Sequence, residues 1–258
     1  MKKSSYRAED VPGMTRAGAL LAEVMAVVAA EVRPGTDTEY LDQVAEREIR
    51  ARGAKPAFLG YDVGGEYFPG TICACINEEL VHGPPVPKKV LREGDIFSVD
   101  MGLVLDGFFA DMARTLPVGK ISPRAEKLLR TVEEAFWVGV ENLRAGKRLA
   151  DYAGPLQRFV QERGFGVVRD LVSHGIGREL HQEPKIPNYL GGNCPDFVFR
   201  ENMTVALEPM ITAGDWRVKT AADGFTFVTA DGSLSAHYEN TVLIEKDGVK
   251  VLTATEGL

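Results

Sequence analysis

The stretch FSVDMGLVLDGFFAD, residues 97–111, decides how the first half of the chain is read. Its valines, leucines, methionine and phenylalanines predict a buried β-hairpin, and Asp106-Gly107 is a two-residue turn. That turn sets Leu105 opposite Phe108 and, counting outward, Asp100 opposite Ala113. Asp111 lies two residues from Ala113 on the same strand, so both carboxylates share one face as diagonal neighbours. Two anions on an apolar face repel each other and lose hydration. The pattern therefore asks for a cation.

Composition narrows the classes. The chain has 258 residues, 45% hydrophobic and 26% charged, enough for a large core. A net charge of −7 disfavours nonspecific DNA binding. The longest nearly apolar run, Ala17 to Ala30, is broken by Glu23 and reads as too short for a membrane span. MKKSSYRAED at the N-terminus is followed by no apolar stretch of the kind a secretory signal needs. Cys73, Cys75 and Cys194 suggest no disulfide framework, which points to a cytoplasmic protein with reduced thiols.

The chain also repeats itself. Ala17, Leu20, Leu21, Val24, Val28 and Val32 fall at helical spacing, and a second helix is predicted after Gly35, opened by a capping box at Thr36-Asp37-Thr38-Glu39. A shift of 111 residues lays Glu23 on Glu134, Arg33 on Arg144, Gly35 on Gly146 and Gly53 on Gly164. Pro155 weakens the second copy unless it lies in the first helical turn. LVHG (80–83) in one half is echoed by LVSHG (171–175) in the other. Two helix-helix-sheet halves, about 14–124 and 125–252, predict a pseudo-twofold α+β domain over 1–258 with a central antiparallel sheet and a site between the halves.

The second half supplies two more acids in apolar surroundings, Glu208 in VALEPMI and Glu239 in SAHYENTVLI. Of four histidines, His82, His174 and His181 sit among glycine and proline, and His174 and His181 are expected on separate extended segments. His237 reads as an ordinary, partly exposed residue. Four carboxylates and one imidazole balance two divalent cations, and an oxygen-rich, thiol-free set suits Mn, Fe, Co or Zn.

With these residues in view, the chain resembles the methionine aminopeptidases, metallopeptidases of the pita-bread fold. The likeness runs from about Met14 to Leu252 and is strongest in INEELVHG, VDMGLVLDGFFAD, SHGIGRELHQEP, LEPMI and SAHYENT. The length is similar to the short bacterial type I form. The resemblance implies that Asp111 and Glu239 bridge two metals, that Asp100 chelates one, and that His174 and Glu208 complete the other. It makes Glu208 the proton carrier, His181 the oxyanion donor, and His82 a contact to the scissile amide or second residue. It puts the methionine pocket at Phe68, Cys73, Leu180 and Phe225, where the family's Tyr, Phe and Trp are replaced at the first, third and fourth positions. Ser173 stands where the family has glycine.

The implied activity is removal of methionine from nascent polypeptide N-termini with a small second residue. Partners would be nascent chains and the ribosome, and the enzyme a monomer. Two other readings compete: an Xaa-Pro peptidase of the same fold, which would carry a further N-terminal domain, and a non-catalytic binding module, which would have lost metal ligands.

Overall fold

The computed structural model describes residues 7–192 and 194–255. Its hairpin follows the predicted register: Ile96–Leu105 pairs antiparallel with Phe108–Pro117, Leu105 opposite Phe108 and Asp100 opposite Ala113. Asp106 and Gly107 turn with φ 52° and +79°, the left-handed pair that matches strand twist. Ile72–Ile76 lies along the other edge of Ile96–Leu105, with Cys73 opposite Asp100.

Helix α1 (Val11–Ala30) and helix α2 (Thr38–Ala51) cover the first sheet, and α3 (Pro123–Val140) and α4 (Leu149–Glu162) cover the second. Ala17, Leu21, Val24, Met25 and Val28 of α1 are fully buried, the larger ones contributing roughly 1.5–3 kcal/mol apiece. The helical stretch Ala8–Ala30 is longer than the apolar run predicts, and its length and hydropathy pass for a membrane span. Half of its most apolar window is nevertheless buried within the fold, as for a core helix. Of the segment MKKSSYRAED, residues 1–6 lie outside the described residues.

The repeat holds in detail. Gly35 and Gly146 turn at φ +91° and +89°, and Gly53 and Gly164 at +77° and +82°. Each of the latter two ends its helix with paired six-to-one and five-to-two backbone bonds (Ala54 to Ile49 and Gly53 to Arg50; Phe165 to Val160 and Gly164 to Gln161). Two local expectations shift. Asp37, not Thr36, caps α2, accepting from the Tyr40 N–H, because the Thr36 hydroxyl donates to the Glu31 carbonyl. Pro155 sits inside α4 rather than in its first turn, and the helix continues past it.

In the second half, Thr204–Leu207 pairs with Asn240–Ile244, and Met210–Thr212 pairs with Ser235–His237. One register runs through both ladders, yet the strands part at Glu208-Pro209 and Tyr238-Glu239. The halves join there: Glu239 and Ala113 exchange backbone bonds, and Thr241 Oγ1 both accepts from the Asp111 N–H and donates to its carbonyl at 2.9 Å.

Candidate metal centre

The hairpin face and the parted ladder meet at one cluster. Glu208 and Glu239 occupy facing positions across the parting, and Asp100 and Asp111 point at them from the hairpin. Asp100, Asp111 and Glu239 are buried, and one oxygen of each (Oδ1, Oδ1 and Oε1) has no hydrogen-bond partner. Burial drives the carboxyls upward, Asp100 to about 8, and Asp111, Glu208 and Glu239 well above the carboxylate range, each raised further by the others' charge. The nearest buried cation, Arg114, offsets this only at Glu239 and only as the last of the causes acting there. Arg114 donates to the Glu239 carbonyl at 2.7 Å and to Asn240 Oδ1 at 2.9 Å, not to a carboxylate of the cluster.

His174, on the strand Ser173–Gly175, turns Nδ1 to the Gly175 carbonyl at 2.9 Å and Nε2 inward, 3.6 Å from Glu208 Oε1 and 3.9 Å from Asp111 Oδ2. That bond fixes the tautomer whose free lone pair faces the acids. Burial lowers His174 to about 3, so it is neutral and fit to ligate. His174 lies on a strand as expected, but His181 ends the bend just before the strand Gln182–Ile186 rather than standing on an extended segment; that strand pairs with Ser173–Gly175 and brings the two rings to 4.5 Å. Asp111, His174 and Glu239 offer donor atoms within 4.8 Å of one another, as do Asp100, His237 and Glu239. Orphaned acid oxygens, neutral imidazole and, among the described residues, no cationic side chain bonded to these carboxylates are together what a divalent-cation site requires.

The five expected ligands, His82, His181 and the four expected pocket residues all line one cavity of about 260 Å³. Phe68, Cys73, Leu180 and Phe225 form its apolar part, with Phe68 and Phe225 edge to face at 5.7 Å. Burial raises the Cys73 thiol well above its ordinary value and Cys75 to about 12, so both are neutral thiols; Cys75 Sγ accepts from the Gly83 N–H outside the cavity. His82 holds a positive φ of 59°, a strain kept where a side chain must be aimed, and burial lowers it to about 4. A groove of about 1470 Å³ adjoins, sharing His82, His174, His181 and Glu208.

A scan against family models matches residues 12–246 to metallopeptidase family M24. The chain belongs to metallopeptidase family M24. This M24 chain is 45% identical to a methionine aminopeptidase of Clostridium acetobutylicum, covering 96% of this chain and 97% of that one. It is 42% identical to methionine aminopeptidase 1 of Bacillus subtilis, over 93% and 94%. The crystal structure of the Thermotoga maritima methionine aminopeptidase superposes with TM-score 0.90 at 40% identity, over 96% and 97%. A Pyrococcus horikoshii prolidase shares the fold at TM-score 0.75 and 20% identity, and the M24 chain spans 63% of it.

The structure adds residues that the sequence reading missed. His237 is buried, not partly exposed, with Nε2 3.4 Å from Glu208 Oε2. The signal was the strand period: His237 and Glu239 are two apart and so share a face. The Tyr61 hydroxyl meets His181 Nδ1 at 2.8 Å, a contact no local pattern announces. Ser173 is bonded into the site. Its hydroxyl accepts from the Glu208 N–H at 2.8 Å and donates to Asn188 Oδ1 at 2.9 Å. Asn188 also receives the Tyr152 hydroxyl and returns Nδ2–H to the Glu208 carbonyl at 3.0 Å.

Proposed function

We propose that this chain removes the N-terminal methionine from nascent polypeptides with small second residues, as a type I methionine aminopeptidase working with two divalent cations. The observation that carries the reading is the cluster of four acids and one imidazole, buried but for the partly exposed Glu208, beside an apolar pocket in a chain 45% identical over nearly its full length to a methionine aminopeptidase. Asp111 and Glu239 would be shared by both cations, Asp100 would hold one, and His174 with Glu208 the other. Mn, Fe, Co and Zn all suit this donor set. When bound, such ions act as Lewis acids on a carbonyl and lower the pKa of water, a general scheme for aminopeptidases.

The protein's own groups do the rest. Glu208 takes the proton of the attacking water and passes it to the leaving amine. The Tyr61 hydroxyl lies 2.8 Å from His181 Nδ1; with the hydroxyl as donor the ring proton would stand on Nε2, from which His181 would donate to the developing oxyanion. His82 contacts the scissile amide or the second residue. Phe68, Cys73, Leu180 and Phe225 hold the methionine side chain, while the adjoining groove takes the rest of the peptide. One catalytic domain over 1–258, monomeric, cytoplasmic and acting near the ribosome, completes the reading.

The test is a mass-spectrometric digest of Met-Ala-Ser and Ala-Pro-Ala by Mn²⁺-loaded protein, each with an EDTA control. Release of methionine alone, abolished by EDTA, is expected. Cleavage of only the proline peptide would move the chain to the Xaa-Pro branch, and no cleavage would favour a binding module.

A further inference from the structure

His237 is the least explained side chain of the centre. It is 2% exposed, and neither ring nitrogen has a hydrogen-bond partner. A buried imidazole left this way loses the full hydration of two polar atoms, which native folds rarely tolerate without a reason. Its Nε2 is aimed at acids: 3.4 Å from Glu208 Oε2 and 3.7 Å from Glu239 Oε2. His174 makes the matching approach from the other side, 3.6 Å from Glu208 Oε1. Two imidazoles thus bracket one carboxylate, one at each oxygen.

The separations discriminate between roles. A ring N–H donating to a carboxylate would close to about 2.7–2.9 Å. Two ligands of one ion, each bonded at about 2.0–2.2 Å, stand roughly 3–3.6 Å apart. Both distances at His237 exceed the hydrogen-bond range; the 3.4 Å to Glu208 falls in the second range and the 3.7 Å to Glu239 just beyond it, and His237, Asp100 and Glu239 already offer donors within 4.8 Å of one another.

We propose that His237 is a metal ligand, joining Asp100 and Glu239 at one cation while His174 serves the other, so that each cation takes one imidazole. The proposal rests on the dinuclear reading above. It makes the Asp100 position a mixed nitrogen and oxygen site, which favours borderline ions such as Co²⁺ and Zn²⁺ over Mg²⁺ there.

The experiment is a calorimetric Co²⁺ titration of the parent and of His237→Gln, with X-ray absorption at the cobalt edge on the loaded parent. Glutamine keeps an amide N–H donor but is a poor ligand, so a hydrogen-bonding role would survive the change. Expected for His237→Gln is one ion bound within about threefold of the parent and the other weakened beyond about 100-fold, more than loss of an outer partner costs. A variant binding both ions as the parent does would overturn the proposal. If the variant fails to fold, the parent spectrum decides: one imidazole per cobalt supports a His237 bond, and one per two cobalts contradicts it. A parent that binds no cobalt would instead bring down the dinuclear reading itself, and this proposal with it.

Discussion

Asp100 and Asp111 stand on a ladder that runs unbroken from its turn to Ile96 and Pro117, whereas Glu208 and Glu239 stand where a ladder parts. On the hairpin, register aims the acids, although Asp111 also turns its N–H and carbonyl to Thr241 in the other half. At the parting, the freed backbone groups need partners from elsewhere. The Glu208 N–H goes to Ser173 Oγ and its carbonyl to Asn188, while the Glu239 carbonyl accepts from Arg114 and its N–H binds the Ala113 carbonyl. The aim of the hairpin acids is therefore set by local register, whereas that of the other two depends wholly on residues distant in sequence.

The largest effect that sharpens this contrast is expected on the acid at the parting. Glu208→Gln should lower kcat for Met-Ala-Ser by about 10²–10⁴-fold, the range for a lost proton carrier. A change within threefold would remove Glu208 from that role. Next comes pH. Burial, then the charge of Glu208, pushes Asp100 in the metal-free protein up to about 8, against an unfolded value of about 3.9. A raised carboxyl gives stability that is complete below the unfolded value, declines between the two, and is lost once pH passes about 8. Metal-free protein should melt lower at pH 9 than at pH 6, and saturating Mn²⁺ should flatten that dependence. Equal melting temperatures at both pH values without metal would show that the acids are not forced together.

Two smaller effects probe the halves separately. Asn188→Ala removes the amide that holds the Glu208 carbonyl, and Mn²⁺ affinity should fall about 10–100-fold. Ser98→Ala removes one cross-strand contact of Thr115 Oγ1, which keeps its bonds to the His237 N–H and carbonyl, and should leave affinity within about threefold. Equal losses in the two variants would erase the distinction between ladder and parting. Smallest is Gly107→Ala, which forces a side chain into φ +79° at the turn. A cost of about 1–2 kcal/mol is expected, read by chemical denaturation, with metal binding unchanged.

Legibility in the sequence follows the same line. The hairpin, its register and the Asp100–Asp111 face were all readable because Asp106-Gly107 fixes local pairing and strands alternate with period two. The repeat was readable through Gly35, Gly53, Gly146 and Gly164, whose positive φ values leave a chemical trace at fixed spacing. Glu208 and Glu239 could be picked out as acids in apolar runs, but not the parting that sets them face to face, since it depends on pairing between strands at least 23 residues apart. Asn188, Tyr152 and Tyr61 were silent for the same reason. His237 was different: its spacing from Glu239 held the information, and exposure was assigned instead from its polar neighbours.

The most direct test of the whole account is a Mn²⁺ titration of EDTA-treated protein, with bound metal and methionine release from Met-Ala-Ser measured on the same sample. Release should be absent at the start, rise as metal binds, and reach its plateau by two equivalents. Full release before any metal is added, or none at saturation, would contradict the claim that these acids and histidines form a metallopeptidase centre.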